Sequence, residues 1–177
     1  ELKPNSNSVV IYPTFTSAAY QEPGFYTYFK GACDESCITN LSFENPNAPL
    51  IYNDPSAAPQ VSVNFSVSSR PIPDKDRHYE VVLMIKASAM QGEQTMFLAE
   101  LSFGGEVSIA PDMEERAIHP VVMIEGPRFL FPFARALMSN ITRDGGFMPL
   151  NIQPIDFIRL YQTRMQQQQE AQQETKQ

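Results

Sequence analysis

The sequence predicts an α+β fold: a four-stranded antiparallel sheet followed by helices packed on one of its faces, preceded by an extra aromatic-rich N-terminal β arm. Three observations predict it. Apolar residues alternate at every second position in three successive runs. Further along, they recur at three- and four-residue steps. The strands come first and the helices after, which separates the two element types into layers.

The first 37 residues are rich in Tyr, Phe, Ser and Pro. Val9 to Tyr12 and Phe25 to Phe29 read as short strands, with a turn signal at Pro23-Gly24, so a local hairpin or meander is expected. Thr39 to Phe43 supplies a further strand, ended by prolines. Pro46, Pro49, Pro55 and Pro59 make residues 45–59 a long extended loop. In 60–68, Val61, Val63, Phe65 and Val67 share one face, and Ser62, Asn64, Ser66 and Ser68 the other. Pro71 and Pro73 stop this strand, and 74–77 form a charged turn. Tyr79, Val81, Leu83, Ile85 and Ala87 alternate again. The final strand is expected over 95–109, with Phe97, Ala99, Leu101 and Phe103 on one side. Gly104-Gly105 within it suggests a bulge or a close backbone approach.

Helices follow. Asp112-x-x-Glu115 resembles a capping box and opens a helix expected over 112–124, with Pro120 as a kink or restart. The strongest helix is expected over 128–142, where Leu130, Phe133, Ala134, Leu137, Met138 and Ile141 keep helical phase. Gly145 and Gly146 are suitable stops. Pro154 suits the first turn of a last helix carrying Ile155, Ile158 and Tyr161. From Gln162 the composition turns to Gln and Glu, so 162–177 reads as a mobile tail or a frayed helix extension.

The chain of 177 residues has length for one full core, and 42% of it is apolar. A net charge of −7 argues against nucleic acid or an anionic membrane as the main partner. No run of eighteen apolar residues appears, so no membrane-spanning helix is expected. No basic-then-apolar leader is visible, so no secretory signal is expected. Catalysis finds little support. There is no phosphate-binding glycine loop and no nucleophile elbow. The only histidines are His78 and His119, each read as structural or solvated. Asp112, Glu114 and Glu115 suit the dipole of a helix start. Cys33 and Cys37 lie far in sequence from both histidines, so no metal site is expected. Two free thiols or a local disulfide both stay open.

Three segments carry a family resemblance. They are Gly126-Pro-Arg-Phe-Leu-Phe-Pro-Phe-Ala-Arg135, Gly145-Gly-Phe-Met-Pro-Leu150, and Leu41-Ser-Phe-Glu-Asn-Pro-Asn-Ala-Pro49. Over residues 38–161 the chain resembles SecB, the bacterial export chaperone. The resemblance implies a cytoplasmic homotetramer, a dimer of dimers, that works without nucleotide or other cofactor. Such a protein holds precursor proteins unfolded and passes them to the SecA motor. It also implies site residues. The acidic residue of the Ser-Phe-Glu motif and a Leu-x-Glu pair contact SecA in this family, and they match Glu44, Leu98 and Glu100. The family's usual Asp four positions before that Glu is Asn40 here, which removes one negative charge from the SecA-facing patch. The client groove maps to Ile51, Tyr52 and Phe97, with Ile155 and Phe157 on the last helix; core packing is the alternative for Phe97. Phe133, Leu137, Met138 and Ile141 would form the tetramer interface; packing on their own sheet is the other role, and both can hold because the sides of one helix differ.

Residues 1–37 do not fit the resemblance. Three readings stay open for them: an extra hairpin docked on the sheet edge, an engineered or fused piece, or a pseudo-substrate occupying the client groove. Two other functions also stay open, a SecB-like chaperone of a toxin–antitoxin system and a secreted β-rich binding module.

Overall fold

A computed structural model describes residues 36–48 and 59–174. The N-terminal arm before Ser36, Cys33, and the loop positions Ile51 and Tyr52 lie outside the described residues. Four strands come first: β1 (Cys37–Glu44), β2 (Gln60–Pro71), β3 (His78–Gln91) and β4 (Gln94–Ser108). Two helices follow, α1 (Glu115–Asp144) and α2 (Phe157–Glu174). The sheet is antiparallel throughout, in the order β1-β4-β3-β2. The α+β expectation holds.

Period-two patterning sets the register. Ile38, Phe103, Leu83 and Val67 form one row across all four strands, and Phe43, Ala99, Ala87 and Val63 form another. These rows face α1. Val81, Leu83, Ile85 and Leu101 are each fully buried there. Each such side chain contributes about 1.5–3 kcal/mol of transfer free energy. Gly105 faces the helix at a point where a Cβ would come within 2.8 Å of Leu130 Cδ2. The expected close approach therefore lies between sheet and helix. The register irregularities lie elsewhere, between Ile38 and Asn40 on the partner strand and between Ala89 and Met90 where β3 meets the start of β4.

The two helices expected over 112–124 and 128–142 are one continuous helix. α1 runs thirty residues with Pro120, Pro127 and Pro132 inside it. Each interior proline removes a backbone hydrogen bond and costs about 3 kcal/mol in an isolated helix. Burial offsets that cost here, because Ile118, Val122, Met123, Leu130, Phe131, Ala134 and Met138 all lie in the core. Asp112 is not the cap. The N-cap is Glu114 in extended conformation, with no side-chain capping bond. Arg77 holds this start instead: its guanidinium donates to the Ala110 and Met113 carbonyls at 3.2 and 2.9 Å, and to Glu115 at 2.8 Å.

The two stop glycines act for different reasons. Gly146 takes φ 88°, the left-handed conformation that ends the helix. Gly145 has no side chain because its Cβ would collide with the Phe43 ring. Thr142, fully buried, donates to the Met138 carbonyl at 2.9 Å and accepts from Leu150 N–H at 2.9 Å, folding the following loop back on the helix. The last helix does not open at Pro154. It opens at Phe157, where Asp156 Oδ1 accepts from the amides of Ile158 and Arg159 at 3.0 and 3.1 Å. It then continues as helix through the Gln-rich stretch to Glu174.

Candidate functional site

Both helices lie on one side of the sheet, so its other face is left uncovered by any described element. The pairing of β1 with β4 gathers four sequence-predicted residues on that outer face. Glu44 stands opposite Leu98, Ser42 opposite Glu100, and Asn40 opposite Ser102. Asn40 and Glu44 are exposed. Leu98 is 41% exposed, while its neighbours Phe97 and Ala99 on the helix side are buried. Patterning along β3 adds a residue that motif reading missed. Lys86 faces Glu100 across the β3–β4 ladder, and its Nζ donates to Glu100 Oε1 at 2.8 Å. Its polar position in the alternating Tyr79–Ala87 run was the available signal. The result is an apolar residue flanked by two carboxylates, one of them in a solvated ion pair worth about 0–1 kcal/mol.

A second feature lies on the helix side, where α2 crosses the β2 edge. Phe65 and Val67 from β2, Met123 from α1, and Phe157, Leu160 and Tyr161 from α2 line a cleft of about 280 Å³. Thr163, Arg164 and Gln167 also line it. Phe131 supports it from below, with edge contacts to Phe65 and Phe157 at ring separations of 6.4 and 5.8 Å. Arg164 donates to the Val67 carbonyl on the edge strand. Tyr161 and His119 share a hydrogen bond of 3.0 Å that fixes α2 against α1. Of the predicted lining, Phe157 lies at this cleft though it is itself buried, and Ile155 is half-buried nearby. Phe97 is placed differently. It is buried between Phe43 and Phe147 at ring separations of 5.7 and 5.1 Å, away from the cleft.

On α1, Phe133, Leu137 and Ile141 are half-buried. Met138 is fully buried against the sheet of its own chain.

His78 Nδ1 lies 2.6 Å from Glu106, which also accepts from Lys75 at 2.9 Å. Chiefly through the Lys75 hydrogen bond, Glu106 is held below the ordinary carboxylate range; partial burial opposes this and His78 assists it. This network ties the 74–77 turn to β4. Among the described residues there is no group of three or more His, Cys, Asp or Glu placed to hold a metal ion. Cys37 is an exposed free thiol. No helix among the described residues is long and apolar enough to cross a membrane.

Residues 32–168 match the family model described as preprotein translocase subunit SecB.

The chain belongs to the SecB family.

Close relatives agree. The protein-export protein SecB of Granulibacter bethesdensis is 44% identical over 139 residues, covering 75% of this chain and 81% of that protein. That of Afipia carboxidovorans is 40% identical, covering 78% and 84%. Among solved structures, the chain resembles the Mycobacterium tuberculosis SecB-like chaperone in complex with a ChAD peptide from an antitoxin. The TM-score is 0.58 at 14% identity, covering 68% of this chain and 87% of that one. At that identity the likeness shows the SecB-like fold alone. The family match begins at residue 32, so the aromatic arm lies almost wholly outside it.

Proposed function

We propose that this SecB-family chaperone holds precursor proteins in an unfolded state without nucleotide and without catalysing a reaction, and delivers them to SecA from the cytoplasm. The observation that carries the delivery reading is the outer-face strip. Leu98 is exposed between Glu44 and Glu100 on a sheet face that no described element covers. An apolar contact ringed by carboxylates suits a partner surface with a pocket and basic residues around it. The cleft between β2 and α2, lined by apolar and aromatic side chains, suits extended unfolded segments with large side chains. The loop residues Ile51 and Tyr52 are proposed to extend it. Phe133, Leu137 and Ile141 are proposed to face another copy in a homotetramer. Residues 38–161 would form the chaperone domain, with the continuation of α2 beyond them completing the cleft.

The test is a refolding-delay assay. A denatured precursor protein is diluted into buffer with stoichiometric chaperone and no nucleotide, and SecA association is measured in parallel. Suppressed aggregation and delayed folding are expected. Leu98→Arg is expected to weaken SecA association at least tenfold while leaving the refolding delay unchanged. A folded chain that delays nothing would overturn the holdase reading, and unchanged SecA association would overturn the role of the strip.

A further inference from the structure

We infer that the aromatic run Phe25 to Phe29 of the N-terminal arm docks in the cleft between β2 and α2 of its own chain and competes there with clients. The inference rests on the reading of that cleft as a peptide site. It goes beyond it in naming an internal occupant.

Four observations support it. The cleft is apolar and large enough for an aromatic side chain: about 280 Å³, lined by Phe65, Val67, Met123, Leu160 and Tyr161. The arm holds seven large aromatics, Tyr12, Phe15, Tyr20, Phe25, Tyr26, Tyr28 and Phe29. Each would bury about 150–250 Å² on docking, so leaving all of them solvated is costly. Position is the third. The described chain begins at Ser36, which is buried beside Gly105 on the helix side of the sheet, the side that carries the cleft. The adjoining row Ile38, Phe103, Leu83, Val67 leads straight across the sheet to the cleft wall. Three strand spacings make that about 14 Å. Residues 25–29 lie seven to eleven positions before Ser36, a tether of roughly 23–36 Å when extended, which allows a path over α1. A tether of that length sets a local concentration on the order of millimolar, so even a weak docking contact is populated.

The fourth is the backbone. Arg164 donates to the Val67 carbonyl, which therefore points away from β3. By the period of the strand, the backbone groups of Val61, Val63 and Phe65 point the same way, toward the edge of β2 that no described strand pairs. An extended segment can pair along that edge while every second side chain enters the cleft. In an extended run, Phe25, Thr27 and Phe29 share one face.

The test uses the full chain. Gln167, on the cleft lining, is replaced by photoreactive p-benzoyl-phenylalanine, and the protein is irradiated as a mixture of isotopically light and heavy copies. The expected product is a cross-link within one chain to residues 20–30, largely lost when Phe25→Ser and Phe29→Ser are added. The same two serine substitutions, without the photoprobe, are expected to raise affinity for reduced, carboxymethylated α-lactalbumin. If the arm occupies the cleft nine-tenths of the time, the gain is about tenfold. Cross-links between light and heavy chains, cross-links only outside the arm, or affinity unchanged by the serines would each overturn the inference. If neither protein binds carboxymethylated α-lactalbumin, the holdase reading falls, and the cross-link alone still decides where the arm lies.

Discussion

Gly126 gives the sharpest test of how α1 meets the sheet. A Cβ at this position would lie 3.0, 3.1 and 3.3 Å from three carbons of Val81, which is fully buried near the start of β3. Two effects of Gly126→Ala oppose each other. Alanine favours a helix interior over glycine by about 1 kcal/mol. Pro127 follows, however, and it disfavours helical geometry for any preceding residue with a Cβ, which erodes that gain. Against it stands overpacking, at about 1–3 kcal/mol where a methyl is forced into a filled core. Val81 is β-branched, stiff at χ1 and enclosed, so it has little room to yield. Destabilisation of about 1–2 kcal/mol is expected. Val81→Ala alone should cost about 2 kcal/mol through lost burial and a cavity. The double variant should cost less than the sum by at least about 1 kcal/mol, because the new methyl fills part of the space vacated. Urea denaturation followed by circular dichroism, at one fixed protomer concentration, measures all three. A Gly126→Ala chain more stable than the parent would show that propensity wins and refute the close-approach argument. Strict additivity would refute the contact.

Three further outcomes are expected. Glu106 has its pKa depressed from its ordinary 4.5 by Lys75 and His78, so its contribution to stability is present above that value and is lost as pH falls through the folded-state pKa. The stability gap between the parent and Glu106→Gln should therefore be full at pH 7 and shrink below about pH 4.5, as equilibrium unfolding across pH would show; a gap independent of pH would sink this. Asp156→Ala removes the acceptor for two first-turn amides of α2 and should cost about 1 kcal/mol, with faster amide exchange at Ile158 and Arg159. Asn40→Asp adds a carboxylate to the strip that holds Glu44 and Glu100, and should tighten SecA association and steepen its salt dependence in a titration from low to moderate ionic strength.

Local pattern determined much of this fold. Alternation in 60–68, 79–87 and 97–103 fixed which residues face the helices, since a strand's side-chain period leaves no other assignment once one face is buried. Leu98 and Glu100 could be placed on the face opposite Phe97 for the same reason. Glycine chemistry located the end of α1. What the sequence did not reveal depends on contacts between distant segments. Three prolines argued for broken helices, and only packing against β3 and β4 explains one continuous α1. Asp112 carried a capping pattern, yet Arg77, thirty-five residues earlier, holds that helix start with its side chain. Met138 kept the same phase as Leu137 and Ile141, but one helix has several sides, and the sheet claimed the side bearing Met138. The cleft formed by Phe65, Val67, Leu160, Tyr161 and Arg164 joins a strand to a helix nearly a hundred residues later in the chain. No local periodicity encodes such a meeting. It arises because the helix layer must cover the buried rows of the sheet, and covering them brings α2 against the edge of β2.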